Sequence, residues 1–132
     1  MQTKLFKSVF VISLLVICIV SSNCSCIRYG IPSGSTWQSS NPDMWFTGNA
    51  DGTKRGELRY NDEVIEIEVD SRDGWVGLSI VEFWVQGVDN FNEGCLIRTS
   101  VSSSSKTKLV LNVRYCTLQG FDEEQIVFIR SD

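Results

Sequence analysis

The sequence of 132 residues contains no histidine. That absence removes Ser-His-Asp and Cys-His catalysis and most zinc arrangements, which lean on imidazole or on paired cysteines. No glycine-rich phosphate loop is present: the glycines stand singly in turns and form neither the dinucleotide nor the P-loop pattern. Facing carboxylates are also missing. Glu123 and Glu124 are adjacent on a loop, whereas glycoside hydrolysis needs two acids across a cleft. There is no basic cluster, so phosphate neutralisation, the main source of nucleic-acid affinity, has no footprint here. After residue 20 no apolar run approaches the roughly 20 residues of a membrane span. No enzyme, cofactor, metal or nucleic acid is expected.

What is present begins at the N-terminus. Lys4 and Lys7 precede an apolar stretch over residues 8–20, followed by Ser21, Ser22, Asn23, Cys24, Ser25 and Cys26. A basic start, an apolar centre and a small-residue exit describe a secretory signal peptide. Cleavage after Ser22 assigns residues 1–22 to the signal and residues 23–132 to one secreted domain, and cleavage after Cys26 is the second choice. Without Lys4 and Lys7 the chain has 10 basic against 16 acidic residues, a net charge of −6. A little over 100 residues suffice for one modest core.

Export permits disulfides. Of five cysteines, Cys18 leaves with the signal, and Cys24 and Cys26 leave or stay with the choice of cut. Cys95 and Cys116 flank a serine-rich turn. A hairpin centred between Ser105 and Lys106 sets Val101 against Val110 and Cys95 against Cys116, and opposed residues of an antiparallel pair lie close enough for a bridge. Such a bridge would stabilise by about 3 kcal/mol on the loop-entropy model. If Cys24 and Cys26 survive, they are the alternative partners. Two free buried thiols are the other reading.

The rest of the chain reads as short strands between turns. Residues 27–48 are rich in Ser, Gly, Asn and Pro and read as loop. Their large side chains, among them Trp37, Trp45 and Phe46, either close one end of the fold or form an exposed ligand contact. Asp51-Gly52 marks a turn. Residues 54–60 read as a short polar strand. Residues 63–70 alternate cleanly, with Ile65, Ile67 and Val69 on one face and Glu66, Glu68 and Asp70 on the other. Residues 71–74 read as a turn. Residues 78–86 are apolar on both faces and read as a central strand. Glu82 falls there among Leu78, Ile80 and Trp84. A carboxylate in that setting needs a partner such as Arg98 or Arg114, or else it is a raised acid available for hydrolysis. Residues 87–94 read as loop, 95–101 and 107–116 as a hairpin, and 125–130 as the last strand. The total is an all-β fold, an antiparallel sandwich or barrel of six to seven strands.

From Ile65 onward the order of features resembles a family of small secreted insect proteins named after multiprotein bridging factor two. The stretches that carry it are Leu78-Ser79-Ile80-Val81-Glu82-Phe83, Asp89-Asn90-Phe91-Asn92-Glu93-Gly94, Leu109-Val110-Leu111-Asn112-Val113-Arg114 and Ile126-Val127-Phe128-Ile129. The chain departs from the pattern at Ser100-Val101, where the family has a glycine pair, at Ile129-Arg130, where it ends in Tyr-Gly, and in having Cys95 and Cys116. The resemblance implies a signal peptide followed by a short all-β chain. It also implies two conflicting roles: a transcriptional coactivator, from the family's name, and a salivary, haemolymph or immune-related secreted peptide. The signal peptide favours the second. The expectation is a secreted, extracellular, non-enzymatic domain that binds a protein, a microbial surface component or a small apolar ligand, without membrane contact after cleavage.

Overall fold

The computed structural model describes residues 29–75 and 77–132. The expected signal peptide, Cys18, Cys24 and Cys26 lie outside the described residues. Eight strands follow one another as β1 (Thr36–Ser40), β2 (Asp43–Gly48), β3 (Lys54–Tyr60), β4 (Glu63–Gly74), β5 (Gly77–Val85), β6 (Cys95–Ser104), β7 (Lys108–Cys116) and β8 (Gln125–Arg130). Each pairs antiparallel with the next, and β8 returns to β1, so the sheet closes into a barrel. Closure is the barrel arm of the sequence expectation, with eight strands rather than six or seven.

The strands not anticipated are β1 and β2. Their inward side chains are Trp37, Ser39, Met44 and Phe46, all buried. Alternation is hidden here because a serine fills one inward position while Trp45 occupies an outward one. The turn between them carries a cis Asn41-Pro42 bond. The turn between β3 and β4 has Asn61 and Asp62 both at positive φ, 50° and 64°, the conformation that suits a two-residue hairpin.

β4 behaves as its alternation predicts, with Ile67 and Val69 inside and Glu66 and Asp70 exposed. It then runs on through residues 71–74, which had read as a turn. A bulge opposite Arg72 and Asp73 leaves Ser79 unpaired. The extra residue reverses the parity of Leu78, which enters the core instead of sharing a face with Ile80 and Trp84. Between β5 and β6 the loop contains one helical turn, α1 (Phe91–Gly94), capped by the Asn90 side chain, which accepts from the Asn92 N–H at 3.0 Å.

The lumen is filled. Phe46 of β2, Phe83 of β5 and Phe128 of β8 reach the middle from three walls. Phe128 meets Phe46 edge-on at 5.1 Å and stacks on Phe83 at 5.7 Å between ring centroids. An eight-stranded barrel is just wide enough for side chains to occupy its interior.

The seam between β8 and β1 has only two paired positions, Trp37 with Arg130 and Gln38 with Ile129. Asp132 reinforces it. Its Oδ1 accepts from the Thr36 N–H at 3.1 Å and from Arg130 Nε at 2.8 Å, and Oδ2 accepts from the other end of the guanidinium at 3.1 Å. These bonds favour the carboxylate, first through Arg130, and lower its pKa from 3.8 to about 2. A depressed acid stabilises the fold above its unfolded value, and the contribution is lost as pH falls through the folded one. The seam is therefore expected to loosen in acid below 3.8 and to lose this clamp as pH falls through about 2. Amide exchange at Thr36, followed against pH, should speed up across that window in the native chain and be fast throughout in Asp132→Ala.

Candidate functional site

The outer wall made by β5, β6 and β7 carries the densest set of polar and aromatic groups. On β5, Glu82 sits at an outward position between Val81 and Phe83, both of which are in the core. Its neighbours in register are Asp70 of β4 and Arg98 of β6. Outward parity would expose it, yet the carboxylate is fully buried because two arginines close over it. Arg98 Nε donates to Oε2 at 2.9 Å, and the Arg72 guanidinium donates to Oε1. The arginines remain partly hydrated, with 41% and 57% of their side chains exposed. Two hydrogen-bonded cations offset the desolvation of one buried anion. Holding Glu82 as an acceptor raises the pKa of Arg72.

Arg98 is the partner anticipated for Glu82, and Arg72 is one the sequence did not suggest, because it lay in a stretch read as a turn. Arg114 instead donates to Ser100 Oγ at 2.8 Å. Both oxygens of Glu82 are committed to guanidinium donors and closed to solvent, which is the geometry of an organising ion pair. Glu82→Gln should cost about 1.5–3 kcal/mol, the usual worth of hydrogen bonds to a charged group. Its measurable sign is release of Arg98, seen as loss of a protected Nε–H resonance.

That release matters because Glu82 holds Arg98 over an aromatic ring. The guanidinium carbon lies 4.5 Å from the centroid of Phe91, within range of a cation–π contact. Phe91 in turn meets Trp84 edge-on at 5.6 Å and stacks with Tyr115 at 6.3 Å. Tyr115 is the register partner of Arg98 on β7. The indole Nε1 of Trp84 is buried and has no hydrogen-bond partner among the described residues. Beside Trp84 opens a cleft of about 330 Å³, lined also by Lys54, Glu68, Asp70, Val88 and Asp89. Further along the wall, the β4–β5 hairpin ends at Trp75, whose side chain is wholly exposed.

The residues singled out from sequence are distributed otherwise. Trp37 and Phe46 are in the core, 1% and 0% exposed, so they are not ligand contacts reached from solvent. Trp37 Nε1 donates to Ser35 Oγ at 2.8 Å. Trp45 alone of the three faces outward, on the wall remote from Glu82, between Gln38 and Glu57. The expected Cys95–Cys116 bridge is also corrected. A three-residue turn, residues 105–107, joins the strands, with Ser105 Oγ accepting from the Lys108 N–H at 3.0 Å. Bulges follow at Val101/Ser103 and at Arg98/Thr99. In the resulting register Cys116 faces Ile97, and Cys95 faces Trp84 across β5. Neither thiol is bridged among the described residues, and burial raises the pKa of each.

Trp75, Phe91 and Tyr115 were missed. Trp75 and Phe91 had a readable signal, since each is a large aromatic inside a turn-forming stretch bounded by glycines (Gly74 and Gly77, Gly87 and Gly94). The acidic face of β4 is partly matched with base: Glu68 pairs with Arg55 at 3.4 Å, and Asp70 lies 3.9 Å from Arg72. Asp51 turns inward on its own loop, accepting from the Thr53 N–H and hydroxyl at 3.0 and 2.6 Å. The Thr53 bonds lower its pKa. Compared with known proteins, the chain matches no family model, no curated protein and no solved structure.

Proposed function

We propose that the chain is a secreted, non-enzymatic β-barrel domain that binds an extracellular protein through the outer wall of β5–β7 and the tip of the β4–β5 hairpin. The observation that carries this reading is which side chains are left facing solvent there. Trp75 is fully exposed, and Phe91 and Tyr115 are partly so, with Arg72 on β4 and Arg98 on β6 beside them. Tryptophan, tyrosine and arginine are the residue types that dominate binding hot spots. A large aromatic at a hairpin tip stabilises nothing in its own fold, and it gains free energy when a partner covers it. The side-chain-filled lumen supports an outer rather than an inner contact. The acidic net charge and the signal-like N-terminus support an extracellular setting. The proposal follows the secreted branch of the family resemblance rather than the coactivator branch.

Expression of the full sequence in secreting insect cells tests both parts. Intact mass of protein from the medium is expected to begin at Asn23 or Ile27. A photo-reactive side chain at position 75 or 115 is expected to trap a protein from extracellular fluid, while one at Val64, also exposed but at the other end of β4 from Trp75, is not. Retention of a full-length chain in the cell lysate would move the coactivator reading to the front. Equal trapping from positions 64 and 75 would remove the wall from consideration.

A further inference from the structure

Three guanidinium groups converge on the outer face of β5 and β6. Two of them, from Arg72 and Arg98, hold Glu82. The third belongs to Arg114, the unpaired residue of the bulge opposite Arg98 and Thr99. A bulge re-aims a side chain, and this one turns Arg114 across to β6, where its Nε donates to Ser100 Oγ at 2.8 Å. Arg72 starts from β4 and Arg114 from β7, but the groups they bond, Glu82 and Ser100, stand on adjacent strands. Glu82 pairs with Arg98 in register, and Ile80, the next outward position on β5, pairs with Ser100. Successive outward positions are about 7 Å apart and neighbouring strands about 5 Å, so the three charges share one patch. Half-buried Ile80 lies among them. Arg98 and Arg114 are each held by Nε alone. Among the described residues, their remaining N–H groups make no hydrogen bond.

We propose that this cluster binds an acidic peptide segment of the partner protein, with carboxylates on the guanidinium groups and an aliphatic side chain over Ile80. It rests on the outer wall being the contact surface, and it names the chemistry that meets that wall. Charge is the first support. The chain carries a net charge of −4, yet here three cations surround one buried carboxylate, with Asp70 at the border 3.9 Å from Arg72. A positive island on an acidic surface draws an acidic segment to itself and repels it elsewhere. Geometry is the second. A guanidinium offers a planar fork of N–H donors that fits a carboxylate, and Glu82 already makes that match from inside the wall. Glu82 and Ser100 hold the inner edges of Arg98 and Arg114, so the outer edges are oriented before a ligand arrives. That spares the cost of ordering long side chains on binding. Ile80 selects the kind of polyanion. An aliphatic surface between charges suits a peptide side chain, whereas a sulfated glycan has none to place there.

Fluorescence anisotropy with a short labelled peptide of alternating glutamate and leucine, on protein recovered from the expressing cells, reads the binding directly. The native chain is expected to bind this peptide, more weakly as salt rises, and to ignore one of alternating glutamine and leucine. Arg114→Gln is expected to weaken binding about tenfold, the worth of one charge-assisted pair. Its melting curve should be unchanged, because Arg114 is exposed and bonds only a surface hydroxyl. Arg98→Lys keeps a cation beside Glu82 but loses the fork, and is expected to weaken binding similarly. Arg59→Gln, the control, alters an exposed base on β3 whose register partner is Val64, and should change nothing. Heparin and inorganic sulfate are expected to compete poorly. A native chain that does not bind the glutamate peptide overturns the proposal. So does equal binding by Arg114→Gln and Arg59→Gln, or tighter binding of heparin, which would make the patch a glycan site. Trapping from position 115 at full yield in Arg114→Gln would keep the wall as the contact surface and remove the acidic partner.

Discussion

Trp37→Ala is expected to lower stability by about 3–5 kcal/mol, the cost typical of deleting a buried aromatic. Trp45→Ala, one turn of the hairpin away, is expected to cost about 1 kcal/mol or less. At about 4–8 °C per kcal/mol for a domain near 100 residues, the first change should lower the melting temperature by at least about 12 °C. The contrast follows from strand parity. Trp37 is 1% exposed and Trp45 is 37% exposed, although both belong to the same β1–β2 ladder. Loss of Trp37 also leaves Ser35 Oγ without the indole N–H it accepts. Thermal denaturation of both variants decides the matter. Equal losses would mean that β1 pairs in another register.

Gly56→Ala is expected to destabilise by about 3 kcal/mol or more, at or beyond the upper end for overpacking. Gly56 pairs with Phe46 where β2 crosses closely over β3. A Cβ added there would lie 2.6 Å from the Phe46 Cα and closer still to the Trp45 carbonyl oxygen. Both obstacles are backbone, so no rotamer change relieves them. Gly30→Ala is the control, since nothing lies within 4 Å of its added Cβ. Urea denaturation should show a large fall in midpoint for the first and almost none for the second. A folded, unperturbed Gly56→Ala would show that the two strands do not approach as described.

How much of this was legible depends on what each strand asks of its residues. β4 was plain because Ile65, Ile67 and Val69 alternate with Glu66, Glu68 and Asp70, and only a strand satisfies that order. β8 was plain as an apolar run between turn residues. β1 and β2 were not, because Ser39 takes an inward place and Trp45 an outward one, which leaves composition alone to suggest a loop. Gly56 in the middle of a short strand was a readable mark of close backbone approach. Bulges were beyond reach. Nothing in Ser79, Ser102 or Arg114 announces an unpaired residue, yet these positions move Leu78 into the core and contribute to the register that separates Cys95 from Cys116. The Glu82 site was half legible. A charge between core residues demands a partner, and Arg98 was nameable at that distance. Arg72 became visible only once β4 was known to continue.

The order of pairing also bears on how the barrel forms and where it opens. Seven of its eight strand pairings join neighbours in sequence, and such local hairpins close quickly and at small entropic cost. The eighth joins positions as far apart as Thr36 and Ser131, 95 residues distant. Ring closure is thus the one slow, long-range step in an otherwise local assembly. It rests on two paired positions, the bonds from Ser131 to the Thr36 carbonyl and the Asp132 clamp. The same clasp is where a transient opening starts, and an open clasp bares the edges of β1 and β8.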